Sequence, residues 1–166
     1  MKKIILFIAI ALLGVTFINA QGQFRAGLSG GLPMGDAGDL ATFAIAVDLG
    51  YLFEISDSFD AGVATGYSHS FGDEVDFGFG TVEVEDVQFI PIAASGRVEV
   101  APSFTLGADL GYAVGINEGN DGGFYYSPRA QYGVSEAIDI IAAFRGVAVD
   151  GGSWDIISAG VEIGID

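Results

Sequence analysis

The chain of 166 residues contains no cysteine, so disulfide bonds cannot stabilise it. An exported domain of this size often relies on disulfides when its core is small. A closed β-barrel offers another source of stability, because every strand in it is paired along both edges. The absence of cysteine also excludes a lipid-modified cysteine behind a leader and a thiolate metal centre.

Basic residues are also scarce, and lysine occurs only at Lys2 and Lys3. The rest of the chain has four arginines against 22 acidic residues, a net charge of about −18. Such an excess of negative charge argues against nucleic acid and other anionic partners. Acidity can indicate disorder, but hydrophobic residues make up 51% of this chain and charged residues only 17%, which favours a folded domain.

The first twenty residues predict a signal peptide. Lys2 and Lys3 precede an apolar run, 4–18, that is short for a membrane-spanning helix. Cleavage is expected after Ala20, and a retained N-terminal anchor helix is the alternative. The sequence thus divides into a signal peptide, 1–20, and one domain, 21–166.

Beyond residue 20, apolar residues recur with a period of two, which predicts β-strands. In 43–54, large apolar side chains share one face, and small or charged ones, such as Asp48, share the other. A soluble barrel buries its large apolar side chains, whereas a membrane barrel turns them towards lipid and lines its lumen with small or polar ones. The pattern repeats in five further segments: 59–68, 104–114, 125–134, 138–145 and 156–165.

Two more strands, near 24–32 and 87–98, bring the number to about eight, each of roughly ten to twelve residues. The segment 89–92 is apolar on both faces, so the sequence does not decide which of its side chains face inward. Short turns at 55–58, 99–103 and 135–137 alternate with mostly longer, Gly-rich acidic loops at 33–41, 72–86 and 117–123 and with the shorter loop 150–153. The predicted fold class is therefore all-β, an eight-stranded antiparallel up-and-down transmembrane β-barrel with short periplasmic turns.

Aromatic residues concentrate near the predicted strand ends, which indicates girdles at the two membrane interfaces. The strand propensity of aromatic residues is the alternative, but it does not explain why strand middles favour Val, Ile, Leu and Ala. The set comprises Phe43, Phe53, Phe59, Tyr67, Phe71, Phe104, Tyr112, Phe124, Tyr126, Tyr132 and Trp154.

The leader, the alternating strands, the Gly-rich inner face and the acidic loops resemble the small outer-membrane β-barrel families. These are the OmpA-type membrane domain, the OmpX and opacity-protein type, and the porin-family barrels common in Bacteroidetes. The resemblance covers 22–166 and implies insertion by the barrel insertion machinery. Members usually end on an outward aromatic residue, where this chain has the aliphatic Ile163 and Ile165.

Six charged residues are predicted to face the lumen as a charge network. Buried charges require partners, so these residues are expected to form ion pairs. Such pairs either gate a narrow pore or simply fill the barrel; we favour filling, because eight strands leave room only for side chains. The six residues are Asp48, Asp60, Asp109, Arg129, Arg145 and Glu162.

His69 is the only histidine and the only candidate for catalysis. Lipid A deacylases of this fold place a His and a Ser two residues apart on one strand face, whereas Ser68 and Ser70 adjoin His69 and point to the opposite face. We therefore predict no catalytic site and expect His69 among the girdle aromatics.

The most acidic loop, 72–86, is the only candidate for metal binding, since carboxylates suit hard cations. Its spacing does not match the twelve-residue calcium loop, and its alternating apolar residues, among them Phe77 and Phe79, indicate a hairpin with a solvated acidic face. Neither a metal nor a cofactor is predicted.

The sequence thus predicts a monomeric, non-enzymatic outer-membrane barrel that serves envelope structure or surface interaction. Its expected partners are membrane lipid and the insertion machinery, and no surface partner is identified. A narrow passive pore and a lipid-modifying enzyme are the alternatives. A soluble periplasmic barrel for an apolar ligand would require the two faces to be inverted.

Overall fold

A computed structural model describes residues 22–76 and 80–165 as ten β-strands and one short 3₁₀ helix, Gly35–Ala37. Eight of the strands form a barrel: β1 (Gly22–Met34), β2 (Ala41–Ser56), β3 (Phe59–Gly72), β6 (Val87–Ala101), β7 (Phe104–Gly115), β8 (Gly123–Gly133), β9 (Ile138–Val149) and β10 (Gly152–Ile165). The other two are β4 (Glu74–Asp76) and β5 (Thr81–Glu83). The predicted signal peptide lies outside the described residues.

The barrel is closed and antiparallel throughout, because β1 pairs with β10 from Phe24↔Ile165 to Met34↔Asp155. This confirms the predicted fold class. The eight barrel strands have 11 to 16 residues and are mostly longer than predicted. At about 3.3 Å per residue, the longest would span roughly 50 Å, against a hydrocarbon core of about 30 Å, so the strand ends project beyond a bilayer even when tilted.

The two ends of the barrel differ, as the sequence predicts. Three short turns, after β2, β6 and β8, lie at what we call the turn end, together with the start of β1 and the end of β10. Longer connections after β1, β3 and β7 and the short Asp150–Gly151 turn lie at the loop end. The loop after β3 contains the predicted hairpin, in which Glu74 pairs with Glu83. Phe77 and Phe79 lie outside the described residues.

The outer wall is apolar. Large exposed side chains, among them Leu28, Val63, Ile92 and Ile140, cover its middle. Exposed aromatic residues lie towards both strand ends, such as Phe43, Phe71 and Phe124 at the loop end and Phe24, Phe104 and Tyr132 at the turn end. Trp154 corrects the girdle prediction: it is only 8% exposed and belongs to the hydrophobic cluster in the lumen. Within the described ranges, no helix has the length and apolar character needed to cross a membrane.

The inward face of β6, which the sequence left open, is settled by the structure. Phe89, Ala93, Ser95 and Arg97 are buried, while Ile92 in the same strand is exposed. The inner face of this strand therefore changes from apolar near the loop end to polar near the turn end. The same change occurs along β8, from Tyr125 to Arg129, and along β10, from Trp154 to Glu162. The lumen therefore has an apolar layer near the loop end and a mostly polar layer near the turn end.

Candidate functional site

Most of the predicted charges lie together in the lumen. The first ion pair there joins Arg145 on β9 to Asp48 on β2. The guanidinium donates two hydrogen bonds to the carboxylate, of 2.8 Å and 2.6 Å. It also donates to the hydroxyls of Ser158 and Ser29, each at 3.1 Å. All four side chains are buried, so this group connects strands β9, β2, β10 and β1 across the barrel.

Asp109 on β7 is the centre of a second group, nearer the turn end. It accepts hydrogen bonds from Arg97 at 2.9 Å, from Ser95 at 2.6 Å, and from Arg129. Gly107 provides the space for this arrangement, because a Cβ there would lie only 2.6 Å from the Cδ of Arg97. A side chain at Gly107 would therefore displace the guanidinium that Asp109 binds.

The same group continues through Glu162 on β10. Arg129 donates to one carboxylate oxygen at 3.1 Å, and Gln131 donates to the other at 2.8 Å. Arg25 lies 3.5 Å from that second oxygen and also donates to Asp139. Four arginines thus face four carboxylates, and all four arginines of the chain are in the lumen.

The sequence-predicted set and the observed network differ at four positions. Asp48, Asp109, Arg129, Arg145 and Glu162 lie in the ion pairs, whereas Asp60 is half-buried and lines the mouth at the turn end, outside the ion pairs of the described chain. Arg97, Arg25 and Asp139 belong to the network but were not predicted. A charged side chain that faces lipid costs about 2–4 kcal/mol at mid-membrane. The presence of Arg97 and Arg25 in predicted membrane strands is therefore the sequence signal that both side chains face inward.

The lumen above Arg145, towards the loop end, is apolar. Phe89, Tyr125, Val147, Trp154 and Ile156 are buried there and pack as one cluster. The only polar atom of the Trp154 side chain, the indole N–H, donates to the Ser70 hydroxyl at 3.0 Å. The cavity between this layer and Arg145 measures about 10 Å³, roughly the space of one water molecule.

Larger cavities occur at the two mouths of the barrel. The mouth at the loop end encloses about 590 Å³ and reaches down to Phe89 and Trp154. The mouth at the turn end encloses about 420 Å³ and is lined by Arg25, Asp60 and Arg97, among others. The apolar layer and the two groups of ion pairs lie between them.

His69 lies on the outer wall near the loop end. Its Nδ1 is 2.9 Å from the Tyr67 hydroxyl, and its Nε2 is 2.9 Å from a carboxylate oxygen of Asp86. The other oxygen of Asp86 accepts the Gly72 amide at 2.9 Å. This backbone N–H and the hydrogen bond to His69 hold the pKa of Asp86 below its usual range.

The serine that follows His69 lies on the opposite strand face from the imidazole. Phe71 lies beside the imidazole, with ring centroids 4.4 Å apart, as expected in an aromatic girdle. Ser70 is fully buried in the lumen and bonds Trp154, so it faces away from the histidine. In the part of the chain that the structure describes, no three His, Asp or Glu side chains are grouped so as to hold a metal ion.

The fold and the outer surface define the class: an eight-stranded transmembrane β-barrel with an apolar wall and an ion-paired interior. Solved structures of this class are similar to the chain. They include the attachment invasion locus protein Ail of Yersinia pestis, with a TM-score of 0.58 at 14% identity over 89% of this chain and 100% of that one. Neisserial surface protein A gives 0.51 at 17% identity over 87% and 98%.

A de novo designed transmembrane barrel gives a TM-score of 0.54 at 12% identity, covering 86% of this chain and 95% of the design. A designed barrel and two bacterial surface proteins therefore match about equally well, so the likeness defines the fold and not a biological role. No model of a known protein family matches the chain. No curated protein matches it either.

Proposed function

We propose that the protein is an integral, non-enzymatic β-barrel of a bacterial outer membrane that serves envelope structure or surface interaction. The observation that carries this proposal is the filled lumen. The cavity beside Arg145, between the apolar layer and the Arg145–Asp48 ion pair, measures only about 10 Å³. A hydrated solute cannot pass such an interior without breaking buried ion pairs, which argues against an open pore.

Membrane lipid is the main partner in this proposal. The exposed apolar belt and its aromatic borders match the hydrocarbon core and the two interfaces of a bilayer. Export by the predicted signal peptide, insertion by the barrel insertion machinery and a monomeric state complete the proposal. Extraction tests it: the mature protein should require detergent, and a protein that stays soluble without detergent would contradict the membrane assignment.

The loop end is the external face in this proposal, as in barrels whose longer loops face outward. Its loops carry exposed acids, such as Asp39, Glu85, Glu118 and Asp150, and no arginine or lysine. Ail has been solved in complex with the heparin analogue sucrose octasulfate. A polyanion of that kind does not suit the acidic loops of this chain, so its surface partner is expected to be neutral or cationic.

Conductance in planar bilayers separates this proposal from the passive pore. The refolded protein should produce no channel steps, while a large porin reconstituted in the same lipid provides the positive control. A matched variant, Asp48→Ala with Arg145→Ala, removes the Arg145–Asp48 ion pair and should raise any residual conductance. Steady conductance of the unmodified protein would overturn the filled-lumen proposal in favour of the pore.

A further inference from the structure

We propose that the mouth at the loop end is a binding site for a small organic cation with an apolar body. Its volume of about 590 Å³ falls within the 300–1,000 Å³ typical of ligand pockets. The cavity is blind, since the apolar layer closes its floor. This proposal extends the proposed surface role by naming a ligand class. It rests on the proposed function only for the assumption that the loop end faces the outside of the cell.

Aromatic residues form the bottom of this cavity. Phe89 and Trp154 both line it and are only 2% and 8% exposed, so their positions are fixed by the surrounding barrel. The Trp154 N–H is already bonded to Ser70. Tryptophan has the aromatic face that attracts cations most strongly, and an apolar ligand body gains from contact with Phe89.

The charge of the lining has one sign. Glu85, Glu118, Asp121 and Asp150 line the cavity, and none of its lining residues is basic. The four arginines that could neutralise these acids are all held in ion pairs deeper in the lumen. A concave site lined by acids and backed by a low-dielectric protein interior concentrates cations.

The cavity wall is held in place by its own hydrogen bonds. In the connection after β7, Asn117 accepts the Gln88 amide at 3.0 Å, and Asn120 donates to the Gln88 carbonyl at 3.0 Å. Asn120 also accepts the Gly122 amide at 3.1 Å, and Tyr112 donates to the Asp121 carbonyl at 3.0 Å. A wall fixed in this way lowers the ordering cost of binding.

The same observations select among ligand classes. A metal ion is not favoured, because no three potential ligands are grouped in the described residues. An anion would be repelled by the acidic lining. A purely apolar ligand would use the aromatic floor but none of the charge, whereas an organic cation uses both.

Trp154 is the only tryptophan of the chain, so its fluorescence reports on the cavity floor directly. The full mature protein, refolded in a nonionic detergent, should show a saturable fluorescence change with benzyltrimethylammonium. Benzyl alcohol and benzenesulfonate serve as the neutral and anionic probes. We expect the cation to bind at least about tenfold more tightly than either, and its affinity to fall as NaCl screens the acids.

A pair of variants tests the role of the acids. Glu85→Gln with Asp150→Asn should weaken benzyltrimethylammonium binding about tenfold and leave benzyl alcohol unchanged. The control, Asp57→Asn with Glu136→Gln, removes two exposed acids at the turn end and should leave the affinity for the cation unchanged. Heat-modifiable migration on a gel verifies that each variant is folded.

Equal affinities for the three probes, no saturable response, or equal losses in both variant pairs would each overturn the proposed site. Binding and conductance are read out separately. A conducting barrel that still binds the cation refutes only the filled lumen, and a silent barrel that does not bind it refutes only this site.

Discussion

The Arg145–Asp48 pair allows a quantitative test of how the filled lumen stabilises the barrel. Replacing Arg145 with methionine keeps a long side chain but removes all four hydrogen bonds of the guanidinium. Asp48, which is only 8% exposed, would remain as a buried charge without a partner. Breaking a buried pair from one side costs about 3–5 kcal/mol, so Arg145→Met should lower the free energy of unfolding by that amount.

Removing both charges should have a much smaller effect. Asp48→Leu combined with Arg145→Met replaces the pair with apolar groups of comparable size, a change that is often close to neutral. The losses in free energy of unfolding of Asp48→Leu alone and Arg145→Met alone should therefore sum to at least about 2 kcal/mol more than the loss of the double variant. Such a difference indicates direct coupling between the two residues.

Equilibrium unfolding in urea, with the refolded protein in lipid vesicles, measures these differences. Trp154 fluorescence follows the transition, and Asp57→Asn in an exposed turn is the control for simple charge removal. The reasoning is refuted if Arg145→Met unfolds at the same urea concentration as the unmodified protein. It is also refuted if the double variant loses the full sum of the single losses.

Two further predictions concern the loop end. Ser70→Ala leaves the buried N–H of Trp154 without its acceptor and should cost about 1–3 kcal/mol in the same urea assay, against no change for an exposed Ser→Ala control. The Asp86 carboxylate that accepts the Gly72 amide has a pKa below its ordinary 3.8, so this anchor should persist above pH 3.8 and be lost as the pH falls through the lowered value. The NMR shift of the Gly72 amide should follow that loss, and Asp86→Asn should abolish the titration; a midpoint at or above pH 3.8 would contradict the assignment.

The strand pattern was predictable because the physics of the outer face is uniform. Every outward side chain contacts lipid or a membrane interface, so large apolar side chains recur at every second position of a strand. The small or charged side chains between them face inward. That regularity gave the eight strands and the alternation of short turns and long loops. It also placed charged residues such as Asp48 and Arg145 on the inward face.

The interior was less predictable because its polarity changes with depth. Phe89 and Trp154 are aromatic yet face the lumen, so hydrophobicity alone cannot separate them from girdle residues such as Phe71. The inward face of β6 stayed open for this reason, and Arg97 was missed with it. The pairing of these charges could not be predicted from the sequence, because the ion pairs join residues far apart in the chain, such as Arg25 and Asp139.

Confining every arginine to the interior also governs how proteases act on the folded protein. Trypsin cleaves after lysine and arginine, and the described residues contain no lysine and only the four arginines of the barrel strands. Within the described residues, the folded barrel holds all four arginines in ion pairs, whereas the same residues unfolded present trypsin with four cleavage sites. Tryptic shaving of intact cells would leave this protein undetected however abundant it is, and the same resistance would separate inserted molecules from those still awaiting assembly.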